Sequence, residues 1–138
     1  MSKKLIALLC TIGLLSIGGF GWMYGRAAGG ESSESSAAGV LLQMDIRAEE
    51  NGAVVMEENR FRITLNDKRG LPVERASIKV HLVMPGMFCG RVPAETHEVS
   101  PGLYDLLAIP VMAGKWEAEI VVVANGETLR ATHSFNAV

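Results

Sequence analysis

The stretch Met84-Pro85-Gly86-Met87-Phe88-Cys89 places two thioethers and a thiol within six residues. Pro-Gly at its centre signals a type II turn, because proline presets φ near −65° and glycine accepts the positive φ that follows. Met84 and Met87 are then the first and fourth residues of the turn, with Cα atoms within about 7 Å. Cys89 comes two residues later and faces the same way as Met87 if the chain is extended there. Soft sulfur donors suit Cu(I), and suit Zn less because zinc sites seldom use thioethers. A plainer reading competes. Met84 shares the parity of Ile78, Val80 and Leu82 and so points into a core, while a free cysteine can simply be a small buried hydrophobe. Met87 lies past the turn, where loops run over the surface.

Two further residues are candidate ligands. Met112 joins the group if the Ala113-Gly114 turn lies at the same end of the domain as the Met84–Cys89 loop. His97, between Glu95 and Glu98, is close enough in sequence to complete a site. His81 falls on the strand face opposite Met84, and His133 reads as a strand surface residue. Met44 and Met56 read as core.

The elements that would hold these residues are strands. From Val40 the apolar period is two: Leu42, Met44, Ile46 and Ala48, then Phe61, Ile63 and Leu65, then Ala76 to Met84. Trp116, Ala118, Ile120 and Val122 continue the pattern, and Asn125-Gly126 is a type I′ hairpin signal leading into the last strand. Strands separated by turn signals, with no helix pattern in the domain, predict an all-β, immunoglobulin-like antiparallel β-sandwich. Gly102-Leu103-Tyr104 has the look of a tyrosine corner, which would place Leu106 where an antibody domain carries a cysteine. Trp116 is the expected centre of the core.

Before the domain, Leu5 to Gly25 runs twenty-one residues without a charge, after Lys3 and Lys4. About 20 apolar residues span a bilayer, and the lysines would keep the N-terminus in the cytoplasm. A cleaved signal segment is the alternative, with Ala27-Ala28-Gly29 as a cleavage region. The expected organisation is a membrane anchor or signal segment at 1–26, a flexible linker at 27–39 and a β-sandwich at 40–138. Either reading of the first segment puts the domain outside the cytoplasm, on the inner membrane's periplasmic or extracellular side or secreted.

Composition excludes several functions. Thirteen Lys and Arg against fifteen Asp and Glu, spread evenly, leave no basic patch for nucleic acid. The two cysteines, Cys10 and Cys89, lie in different segments and cannot form a disulfide within the domain. Neither a His-Glu-x-x-His, a Gly-x-Ser-x-Gly nor a phosphate-binding glycine loop is present. The acidic pairs Glu49-Glu50 and Glu57-Glu58 read as solvated charge, so no enzyme is expected.

In order along the chain, Asp67-Lys68-Arg69-Gly70-Leu71-Pro72-Val73, Met84-Pro85-Gly86-Met87, Gly102-Leu103-Tyr104 and Met112-Ala113-Gly114-Lys115-Trp116 resemble the YtkA-like domain, an immunoglobulin-like module grouped with FixH-type proteins. The resemblance covers roughly Arg60 to Val123. It implies an exported or membrane-tethered bacterial domain associated with copper handling or copper-oxidase assembly, and its methionine positions fall on Met84, Met87 and Met112. Members often carry histidine after the methionine loop, where this chain has Phe88-Cys89-Gly90. The expected function is therefore a tethered protein that holds or delivers Cu(I) through Met84, Met87, Cys89, Met112 and His97. The alternative is an interaction module, or accessory subunit of a membrane complex, that contacts a partner through Met87 and Phe88.

Overall fold

The computed structural model describes residues 34–49, 52–88 and 90–138. The expected anchor or signal at 1–26, most of the linker and Cys89 therefore lie outside the described residues. Eight strands follow one another: β1 (Glu34–Ala38), β2 (Leu42–Ala48), β3 (Asn59–Asp67), β4 (Ser77–Val83), β5 (Val92–Ser100), β6 (Leu103–Ala108), β7 (Gly114–Ala124) and β8 (Glu127–Ala137). Among the described residues no helix is long and apolar enough to cross a membrane.

The strands pair antiparallel in the order β1-β2-β3-β6-β5-β4-β7-β8. This ribbon folds over itself at β5. Val92 and Ala94 pair with β4, whereas Glu95 to Ser100 pair with β6. Where β5 leaves β4, the Thr96 hydroxyl donates across the fork to the Ile78 carbonyl at 3.2 Å. With β1 set aside, β2-β3-β6-β5 against β4-β7-β8 is the four-plus-three division of a constant-type immunoglobulin sandwich. The alternating apolar residues meet between the layers: Leu42, Met44 and Ile46 from β2, and Ile63 and Leu65 from β3, are sealed from solvent. Trp116 is fully buried, as its place in the β7 pattern predicts.

Four expectations change. First, the sheet begins at Glu34, inside the stretch read as linker, because β1 pairs with β2 from Glu34–Arg47 to Ala38–Gln43. The Glu127 carboxylate on β8 fastens the β1–β2 turn, accepting from the N–H groups of Val40, Leu41 and Leu42 at 2.6, 2.8 and 2.9 Å. A side chain at Gly39 would collide with that carboxylate. Second, β5 has no counterpart in the apolar pattern, since its outward positions are polar and it straddles the fork. Third, His133 is not a surface residue but fully buried, in line with Leu129 and Phe135 on the inner face of β8. Its Nδ1 lies 2.9 Å from the Ser35 hydroxyl of β1, and Phe61 meets its ring edge-on at 5.4 Å. Burial holds its pKa below the ordinary imidazole value. Fourth, Met44 is core as expected but Met56 is 69% exposed, on a loop.

Tyr104 does bond back to the backbone. Its hydroxyl donates to the Val73 carbonyl at 2.7 Å and accepts from the Ala76 N–H at 3.1 Å. It stands on β6, however, in the four-stranded layer, so the tie spans the β3–β4 connection and is not an antibody-type corner. Leu106 accordingly lines the core of β6, and the cysteine position of the facing layer falls on β7.

Candidate functional site

The register puts the ends of β2, β4, β6 and β8 and the starts of β3 and β7 at one end of the sandwich, and with them the described residues 52–58, 84–88 and 109–113 and Val138. This rim holds the methionine turns. At the first, the Met87 N–H donates to the Met84 carbonyl at 3.2 Å and Gly86 has φ 79°, the turn that Pro-Gly predicts. Met84 is 9% exposed and points inward, as parity requires. Its methyl lies 2.8 Å from where a Cβ on Gly114 would stand, so the two turns meet at the same end. Gly114 has φ 135°, a conformation that side chains resist. At the second turn the Trp116 indole N–H donates to the Met112 carbonyl at 2.9 Å, anchoring the loop to the core.

Of the five expected ligands, Met87 (51% exposed) and Met112 (40% exposed) stand open at this rim. Met84 is below the surface. Cys89 lies outside the described residues. His97 does not join them: it pairs in register with Asp105 on β6, five residues beyond Val92, or about 17 Å along the strand. Its Nε2 is 3.5 Å from the Glu95 carboxylate, and its side chain is in solvent. Among the described residues no three His, Cys, Asp or Glu side chains are grouped as metal ligands would be.

Around Met87 and Phe88, the pair expected for partner contact, the rim gathers residues that sequence reasoning missed. Met56, Met87, Phe88, Val111, Met112 and Val138 all expose apolar side chains there, Phe88 completely. The loops carrying Met56, Met112 and Val138 are tied down. Ala53 N–H donates to the Asn136 carbonyl (3.1 Å), Val138 N–H to Ala53 (2.9 Å) and Val55 N–H to Val138 (3.1 Å), extending β8 into the rim. Met56, at φ 62°, is held by its N–H donating to the Pro110 carbonyl at 2.8 Å. The Asn59 side chain pins the same loop, accepting from the Val54 N–H at 2.6 Å and donating to the Glu57 carbonyl at 2.8 Å. The rim's sequence signal was available in Ile109-Pro110-Val111-Met112, an apolar run that proline and a following turn keep out of a strand.

The remaining motifs serve the opposite end. The Asp67 carboxylate accepts from the N–H groups of Arg69 and Leu71 at 2.8 and 3.0 Å. These bonds, the Leu71 one foremost, hold its pKa below the ordinary value. Gly102 packs so closely on Pro72 that a Cβ there would come within 2.6 Å of the proline's own.

A profile of the family described as YtkA-like matches residues 41–121. No curated protein matches the sequence. Among solved structures, the Lin-41 filamin domain is similar at 12% identity with a TM-score of 0.45, over 78% of this chain and 93% of that one.

Proposed function

This chain belongs to the YtkA-like family, and from that premise we propose that it is an exported, membrane-tethered contact module, not an enzyme, that works through the loop rim of its sandwich. The observation that carries this reading is the exposure of Met56, Met87, Phe88, Val111, Met112 and Val138 at one end of the fold. Exposed apolar side chains gathered at one end of a folded domain mark an interaction site. The connections carrying Met56 and Met112 are hydrogen-bonded in place without a partner, so association orders fewer groups and less free energy is lost on binding. The expected test is photocrosslinking in native membranes with a benzoylphenylalanine at Phe88 and, separately, at Asn125 in the opposite hairpin. Adducts should form from position 88 and not from 125; equal or absent adducts at both would end this reading.

A second reading rests on the close approach of Met84 to Gly114, which brings both methionine turns to one end. Met87 and Met112 would then receive a Cu(I) ion as cargo, with Cys89 as the anionic donor. Two open thioethers fit a weak, exchangeable soft-metal site, because neutral sulfur adds selectivity without a deprotonation step. Met84 and His97 take no part in this version. The full chain in detergent, titrated with Cu(I) under reducing conditions, should bind one ion. Cys89→Ser or Met87→Ser should weaken binding at least about tenfold, the loss expected when one donor of a small set goes. Unchanged affinity in both variants would remove copper from the account.

A further inference from the structure

We propose that the rim rests on the bilayer surface itself, with Phe88 and the neighbouring methionines entering the interfacial layer. This rests on the contact reading above and names the occupant. Three observations point to lipid. The first is direction. β1 runs away from the rim, with Glu34 opposite Arg47 near the rim end and Ala38 opposite Gln43 at the other, so the chain enters the sandwich from the rim side. The second is length. Only residues 26–33 separate the uncharged run Leu5–Gly25 from Glu34, and eight residues reach at most about 29 Å even when fully extended. A spanning segment at Leu5–Gly25 therefore keeps the rim end of the domain close to the membrane.

The third is chemistry. Aliphatic, thioether and phenyl groups project from loop tips where they can enter a lipid interface without exposing sheet backbone to it. The charges around them are of both signs: Glu57 and Glu58 follow Met56, Lys115 follows Gly114, and Arg91, past Phe88, is paired with Glu119. No basic cluster would demand anionic headgroups. Uncharged, zwitterionic lipid is thus the surface the rim fits.

The test uses the full chain reconstituted in phosphatidylcholine vesicles, with Cys10→Ser and Cys89→Ser as background. A nitroxide is placed at Phe88→Cys or, as the far-end control, at Asn125→Cys; both positions are exposed, and because Asn125 has φ 52° its labelled variant is first checked for the unlabelled chain's circular dichroism. Accessibility to oxygen relative to a water-soluble nickel chelate should be severalfold higher at 88 than at 125, and should not change when anionic lipid is added. A water-like ratio at 88 would overturn lipid docking. If that label is water-like in pure lipid but immobilised in native membranes, a membrane protein occupies the rim, and the contact reading survives without this inference. Spin–spin broadening at 88 in pure lipid would assign the rim to a second copy of the chain and likewise overturn lipid docking. A mobile, water-like label in both settings would end both proposals.

Discussion

At the residue scale, His133 shows how one buried polar group can tie the fold to pH. In the fold its imidazole is held neutral by burial, whereas in the unfolded chain it takes up a proton near pH 6.5. The unfolded state therefore binds more protons as pH falls, and stability present above about pH 6.5 is lost toward the depressed folded value. Thermal unfolding followed by circular dichroism should show the midpoint dropping between pH 7.5 and 5, and His133→Asn, which cannot titrate, should flatten that slope. Equal slopes would mean that other groups govern the dependence. Gly114 gives a second residue-scale expectation. Met84's methyl can swing aside, but φ 135° cannot be relieved, so Gly114→Ala should cost about 1–3 kcal/mol in denaturant unfolding. Tyr104→Phe should cost about 1–3 kcal/mol as well, because the buried Val73 carbonyl loses its donor.

At the element scale, the strands that were legible in sequence are those with one wet face and one dry face. β2, β3, β4 and β7 alternate because each lies in one layer with one side on the core. β5 was not legible: Val92-Pro93-Ala94-Glu95-Thr96-His97 carries few apolar groups, because a strand that bridges the fork offers little side chain to the interior. β1, Glu-Ser-Ser-Ala-Ala, has the composition of a linker; it pairs along β2, and residues some ninety positions on secure it, His133 at Ser35 and Glu127 at the turn that follows. Such distant partners leave no local mark. His133 was different: its parity with Leu129 and Phe135 placed it inward, and only its polarity argued otherwise. For the sulfur loop, sequence located the turn and the buried side of Met84, but His97 seemed near only because the length of β5 was not visible. Glu127→Ala should release the β1–β2 turn. Hydrogen exchange should then quicken at the amides of Val40, Leu41 and Leu42 while those in the middle of β7 stay protected; uniform change across both would argue against a local clasp.

At the scale of the whole molecule, the family phrases divide between the two ends. Asp67 to Val73 and Gly102 to Tyr104 build the far end, where carboxylate, glycine and phenol lock one connection. The methionine turns build the rim, where the six apolar side chains named above stand in solvent, against Val40, Leu41 and Leu71 at the far end. Function is thus argued from one end, and variants at the two ends should behave oppositely. Phe88→Ser should leave the unfolding midpoint nearly unchanged while abolishing crosslinking from a probe at Met112, whereas Tyr104→Phe should lower the midpoint and leave crosslinking intact. The forked β5 has a further consequence. Residues 92–94 pair only with β4 and residues 95–100 only with β6, so besides β1 and β8 each half of β5 keeps one edge of its backbone unpaired where the layers part. Ser35 holds β1 against His133 of β8, and the segment from Ala53 to Val55 covers the last residues of β8. The bare edge at the fork is split into two short stretches carrying Pro93, Glu95 and Glu98, residues that discourage strands of neighbouring copies from adding and so guard a crowded population of such domains against growing into fibrils.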